Sequence, residues 1–336
     1  MSQALALKEY LDQAGHTVEA VFLGGRPQRE IPDYFARNFA GRLHTFQSPW
    51  FLRTPNQKGI YIGRTLLFNL VRIPAYLSEL RRIRREIELL GPEVVINFYD
   101  VVGALALRKI PSGIRRIGIG HHFFLHLENY RCKQGSAWQR WLLKRLTEGI
   151  IRSCDRVLAL SFREVPGKNI MEVVPPLVRR AFREMPYQAG KRYLAYFLNE
   201  GLLYDLIRLA RELPEFEVDI FTSLKPSMEL PGGMALHPFD AEKFMDCMAS
   251  CRGLICSAGF DAAAEAAYHG IPLAVLPTRN HFEQACNASD ISRSGIGIAV
   301  GKISRDMLEQ MQPIEADAFR AWTDSAGERV LKYVEE

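Results

Sequence analysis

Residues Cys256 to Ala288 read CSAGFDAAAEAAYHGIPLAVLPTRNHFEQACNA. Leu254, Ile255 and Cys256 close an apolar run of the kind a buried parallel strand shows. Ser257, Ala258 and Gly259 form a turn of small residues, which lets a ligand approach the backbone. A helix is expected next, with Ser257 or Asp261 placed to cap it and Glu265 one turn in. Gly270, Ile271 and Pro272 end that helix, and Leu273 to Leu276 reads as a second buried strand. Pro277 opens the polar loop Thr278-Arg279-Asn280-His281. Phe282, Glu283 and Gln284 then start a second helix aimed at the same place. The free N–H groups and partial positive charge of a helix start suit a phosphate. A carboxylate at Glu265 suits a pair of sugar or ribose hydroxyls.

The rest of the chain repeats this alternation. Glu93 to Tyr99, Ile114 to Gly120 and Arg156 to Leu160 read as strands, and Val101 to Arg108 and Trp138 to Ile151 as helices. After Val173-Val174-Pro175-Pro176, which reads as a crossing, come the strands Tyr193 to Leu198, Val218 to Thr222 and Leu236-His237. Glu315 to Tyr333 reads as a terminal helix. Strands alternating with helices imply parallel sheets covered on both faces. Ligands in such sheets sit beyond the carboxyl ends of the strands. That rule brings Asp100, His121 and His122 to the cleft side of the first sheet.

A chain of 336 residues is comfortable for two domains. No apolar run is long enough to cross a bilayer, and no signal peptide is expected at the start. Six cysteines are scattered without a disulfide or zinc-finger spacing. A metal site from Cys247, Cys251 and Cys256 is conceivable, but buried reduced thiols in a cytoplasmic protein are the expectation. The net charge of +5 gives no reason to expect nucleic acid. Residues 50–85 interleave Trp50, Phe51, Leu66, Leu67 and Phe68 with Arg53, Lys58, Arg64, Arg72, Arg81, Arg82, Arg84 and Arg85. A peripheral membrane segment needs this mixture, and a solvated helix above a core has it too.

The stretch from Cys256 resembles the donor-binding half of GT-B glycosyltransferases, which have two Rossmann-like domains. It is most similar to the branch containing the N-acetylglucosaminyltransferase that makes lipid II. Ser257, Gly259, Glu265, Ala266, Gly270, Pro272, Pro277, Gln284, Asn287 and Ala288 match that branch's pattern. The resemblance implies an α/β chain divided into an acceptor-side domain at 1–172, a nucleotide-sugar domain at 173–315 and a helix at 316–336 that packs back on the first. It implies a donor site of Ser257, Ala258, Gly259, Phe260, Glu265, His281 and Gln284, with Phe239 or Phe244 against the base. The expected donor is a UDP-sugar, a substrate rather than a cofactor. The acceptor is unidentified, with a lipid-linked or cell-envelope glycan precursor as the candidates. Asn199-Glu200-Gly201 stands where the family has a longer Gly-rich loop.

The family begins with a strand and a Gly-His loop before a helix like Met1 to Ala14. Here that strand and loop are expected to be missing, leaving a gap or a forced pairing between Thr17–Leu23 and Val94–Phe98. Sugar transfer needs a base for the acceptor hydroxyl and charge stabilisation for the departing diphosphate. The chain has no Asp-x-Asp pair, so transfer is expected to be metal-independent, with His121, His122 or Asp100 as base. A nucleotide-sugar 2-epimerase and a non-catalytic nucleotide-sugar-binding protein remain the alternatives.

Overall fold

A computed structural model describes all residues except 28–30, 57, 128–136, 198–199, 225 and 227. Cys132 and Asn199 lie outside the described residues. Among the described residues the strands form three parallel ladders. The first pairs β1 (Val21–Gly25) with β2 (Leu43–Gln47). The second runs β3 (Val94–Asn97), β4 (Arg115–Gly120), β5 (Arg156–Leu160) and β6 (Met171–Val174). The third contains β7 (Tyr193–Tyr196), β8 (Val218–Phe221), β9 (Met234–His237), β10 (Gly253–Ser257), β11 (Leu273–Leu276) and β12 (Ile298–Ala299).

The third ladder has the edge-to-edge order β9-β8-β7-β10-β11-β12. This is the doubly wound arrangement, and its direction reverses between β7 and β10, where such sheets bind ligands. Cys256 lies in register with Tyr196 on one side and Val275 on the other. β10 and β11 are buried at every position, which explains their continuous apolar runs.

No ladder joins β1 to β3 among the described residues. The two ladders nevertheless lie side by side. Phe22 and Val95 pack on one apolar cluster, and the Ser48 hydroxyl beyond β2 donates to Asp100 beyond β3. All of β1 is only half-buried.

The first helix, Ser2–Gln13, buries Leu5, Ala6, Leu7, Tyr10 and Leu11 on one face. The long helix Ile73–Leu90 buries Tyr76, Ile83 and Ile87 at helical spacing. It ends at Gly91, whose φ of 56° is left-handed and suits glycine. The arginine cluster on this helix is divided. Arg81, Arg82 and Arg85 are exposed, whereas Arg84 turns inward and donates to the carbonyls of Ala106 and Leu105, both at 3.0 Å.

Three elements differ from the sequence expectation. β1 starts at Val21 rather than Thr17, because Arg42 Nη1 donates to the Val18 carbonyl at 2.9 Å and pairing with β2 begins only at Leu43. The supposed crossing at Val173 is the end of strand β6, so chain exit begins at Pro175. The terminal helix is two helices, Ala316–Asp324 and Ala326–Glu335, broken where the Ser325 hydroxyl donates to the Trp322 carbonyl at 2.8 Å. From them Trp322 Nε1 donates to the Ser161 carbonyl at 2.9 Å, and Arg329 Nη2 pairs with Glu164 Oε1 at 2.6 Å.

Candidate active site at the facing strand ends

The turn after β10 lies at the point where the third ladder reverses. Helix Phe260–Tyr268 begins at Gly259, with no side chain capping it. Neither Ser257 nor Asp261 caps it as expected. Asp261 instead accepts a hydrogen bond from Gln3 Nε2 at 2.6 Å, which ties the first helix to this one. An uncapped helix start leaves backbone N–H groups for an anion. The turn itself is held from behind. Ala258 is fully buried, its N–H donates to the Leu276 carbonyl at 3.3 Å, and its carbonyl accepts from Asn287 Nδ2 at 3.0 Å.

Glu265 is 5% exposed and pairs with Arg179 Nη2 at 3.1 Å. Burial raises its carboxyl to about 7, although the Arg179 charge opposes the rise. Arg179 also lies over the Phe182 and Tyr34 rings, at 4.4 and 5.8 Å from their centroids. The expected donor carboxylate is therefore already engaged by a cation from the chain between the two large ladders.

The loop Thr278–His281 is fixed by Gln284. Its Oε1 accepts from the Thr278 N–H at 2.8 Å and from the Thr278 hydroxyl at 2.7 Å. The Gln284 carbonyl oxygen is thus committed to the loop. His281 caps helix Phe282–Arg293 through its ring nitrogen and contacts the Phe51 ring at 5.0 Å. Burial lowers its pKa. Residues on either side of Gly59 meet the same loop, with the Ile60 N–H donating to the Arg279 carbonyl at 3.3 Å. Of the two phenylalanines considered for the base, Phe244 packs on the core beside Phe221, whereas Phe239 is 54% exposed with its edge on Tyr196.

His121 and His122 follow β4 and reach the same place. The His121 ring lies 4.5 Å from that of Phe260, so the two large ladders present their strand ends to each other here. His121 is 5% exposed, and its Nδ1 donates to the Leu160 carbonyl at 2.7 Å. Its Nε2 faces Asp290 Oδ2 at 3.7 Å. Desolvation lowers its pKa, and the Asp290 charge works against that. Asp290 is fully buried, its carboxylate oxygens make no hydrogen bond among the described residues, and Arg163 Nε lies 3.9 Å from Oδ1.

His122 is less enclosed. Its Nε2 stands 3.0 Å from Glu283 Oε1, and its ring packs on Tyr99 at 4.5 Å. Burial alone would raise the Glu283 carboxyl, but the charges of His122 and His281 hold it down to about 2. Tyr99 has a φ of 54°, a left-handed backbone uncommon for a bulky residue and found most often at functional sites.

Asp100 does not stand free at the cleft as expected. It caps helix Val101–Leu107 by accepting from the Gly103 N–H at 2.7 Å, and its other oxygen accepts from Ser48. Burial raises its pKa against these bonds. The sequence reading missed Arg179, Glu283 and Asp290. Asn287 was noted only as part of a pattern, not as the residue that holds the turn. Their partners lie far away in the chain, so no spacing betrays them.

Residues 5–312 match glycosyl transferase family 1, and the chain belongs to that family. An uncharacterized glycosyltransferase of Methanosarcina mazei is 25% identical over 252 residues, which is 66% of this chain. The match spans 64% of that relative's length. The glycotransferase of kitacinnamycin has a similar structure, with a TM-score of 0.63 at 16% identity over 99% of this chain and 94% of that one. MurG of Acinetobacter baumannii gives a TM-score of 0.57 at 14% identity over 99% and 95% of the two chains. The fold is GT-B, an α/β architecture with parallel sheets.

Proposed function

We propose that the protein transfers a sugar from a nucleotide-sugar donor, read as a UDP-sugar, to an acceptor hydroxyl. The observation that carries this reading is the uncapped helix start at Gly259, at the reversal point of the β7–β10 ladder, with Glu265 one turn in. The diphosphate lies at the helix start, the ribose or sugar hydroxyls meet Glu265, and the base rests near the exposed ring of Phe239. Opposite, His122 takes the acceptor proton on Nδ1 while Glu283 holds Nε2. His121 is buried behind it, and Asp100 is occupied as a cap, so neither serves as base. The helix start supplies the charge stabilisation, and no metal enters the transfer step. The chain divides functionally after Val174, where β6 ends, and again near residue 315, before the helices Ala316–Asp324 and Ala326–Glu335. A thermal-shift panel of nucleotide sugars tests the reading. One UDP-sugar should stabilise the protein and then be consumed when acceptors are supplied. Absence of any response to nucleotide sugars would sink it.

The acceptor is read as lipid-linked or as a cell-envelope glycan precursor, met at the cytoplasmic face of a membrane. No helix among the described residues is long and apolar enough to cross one. Leu67, Leu70 and Val71 are each at least 60% exposed, beside the exposed Arg64. Phe51 borders the His281 loop, and so does the helix of the exposed Trp138 and Trp141, whose Gln139 donates to the Asn280 carbonyl at 3.2 Å. Apolar side chains next to arginines suit a bilayer carrying anionic lipid. Replacing Leu67 and Leu70 together by glutamate should weaken binding to phosphatidylglycerol vesicles by more than about tenfold, given the apolar transfer energy of two leucines. Equal co-sedimentation of wild type and variant would remove the membrane from the reading.

A further inference from the structure

Near the β9 edge of the third ladder, three potential metal ligands converge from three elements. Asp219 is on β8, His237 ends β9, and Cys247 is on helix Ala241–Ala249. In the ladder, Asp219 is opposite Ala235 and Phe221 opposite His237, so Asp219 and His237 are diagonal neighbours on one face. The helix crosses that face. Asp240 caps it by accepting from the Lys243 N–H at 2.7 Å, which fixes the turn that presents Cys247. Asp219 Oδ1 and His237 Nε2 are 2.7 Å apart, and one Asp219 oxygen, one His237 ring nitrogen and Cys247 Sγ all lie within 4.8 Å of one another.

The surroundings orient the set. The His237 ring packs against Phe221 at 5.2 Å, which aims Nε2 at Asp219. Arg192 grips both Asp219 oxygens, Nε on Oδ2 at 2.7 Å and Nη2 more loosely on Oδ1 at 3.4 Å, so Oδ1 is the less tightly held oxygen and faces His237. The Arg192 charge is shared with Glu217 at 3.1 Å, so it does not stand alone beside the site. All three ligand residues are half-buried. The sequence suggests grouping Cys247 with Cys251 and Cys256. In the fold those two thiols are buried in the core cluster that Cys247 borders, and Cys247 meets an imidazole and a carboxylate instead.

We propose that Asp219, His237 and Cys247 form a zinc-binding site that clamps strands β8 and β9 to the helix above them, with water completing the coordination. Thiolate, imidazole and carboxylate oxygen are each donors that zinc takes, and three protein ligands plus water complete a tetrahedron. The ion enters between Asp219 Oδ1 and His237 Nε2, replacing their direct hydrogen bond, and the Cys247 proton is released to solvent. A thiol must give up its proton to bind zinc, so affinity rises with pH. The site does not depend on the sugar-transfer reading.

The test uses untagged full-length protein stripped by a chelator and titrated with Zn²⁺ against a chromophoric indicator, and separately with Co²⁺. One equivalent should bind, and the Co²⁺ form should show a thiolate-to-cobalt charge-transfer band. Cys247→Ser should abolish that band, and His237→Ala should weaken zinc by more than about 10–100-fold, the loss that removing even an outer partner causes. A wild-type Co²⁺ spectrum without a thiolate band overturns the proposal whatever the variants do. So does unchanged zinc affinity in folded Cys247→Ser, which would leave an ordinary Arg192–Asp219–His237 network.

Discussion

His122→Ala should lower turnover by about 10²–10⁴-fold and leave donor affinity nearly unchanged, the pattern of a lost general base. Of the groups brought to the facing strand ends, His122 is less enclosed than His121 and stands beside a carboxylate. Its Nε2 is 3.0 Å from Glu283, and its ring is fixed on Tyr99. Glu283→Gln should produce a smaller loss, because the ring stays but its charge partner goes. His121→Ala is the control. It removes a buried ring packed against Phe124, Phe162 and Phe260 and exposes the stranded Asp290, so its effect should appear as lost stability. Turnover and melting temperature measured on the three variants separate these roles. Wild-type turnover in His122→Ala would move the base elsewhere.

Glu265→Ala should weaken donor binding by about 1–3 kcal/mol, the scale of hydrogen bonds to a charged group, or roughly 5–150-fold. Calorimetry with a UDP-sugar measures it. The same residue has a pH signature in the donor-free protein. Its folded value of about 7 lies above its ordinary 4.5, so the folded state holds the proton more tightly. Stability from this group is therefore lost as pH rises from about 4.5 to about 7, by up to about 3 kcal/mol. The buried histidines with lowered values, His121 and His281 among them, shift stability the opposite way near pH 6.5. They are common to wild type and Glu265→Gln, so they cancel when the two melting curves are subtracted. A difference that does not change between pH 5 and pH 8 would show that Arg179 fully compensates the carboxylate.

What the sequence revealed was local. The turn Ser257–Gly259 and the strands on either side are written in adjacent residues, and Leu273–Leu276 is where its apolar run places it. The family pattern pointed to Asn287 and Gln284 but not to their work, which is to hold the turn and the loop in place. Pairing across distant segments was not legible. Arg179 meets Glu265 across 86 residues, and Glu283 meets His122 only because two ladders present their ends to each other. Asp100 looked available because its position after β3 is legible, while its role as a helix cap depends on Gly103 and Ser48. Strand ends were blurred for the same reason, since the start of β1 is set by its partner Leu43 rather than by the residues from Thr17.

Among the described residues no ladder joins β1 to β3, so side-chain contacts alone tie the β1–β2 pair to the four-stranded sheet. Parts of a protein that share no backbone hydrogen bonds can open locally at less than the global free energy. Amide hydrogens of Val21–Gly25 and Leu43–Gln47 should therefore exchange with solvent faster than those of Val94–Asn97 and Arg115–Gly120. Equal protection in both pairs would show that the Phe22–Val95 packing and the Ser48–Asp100 bond make the two ladders open only together.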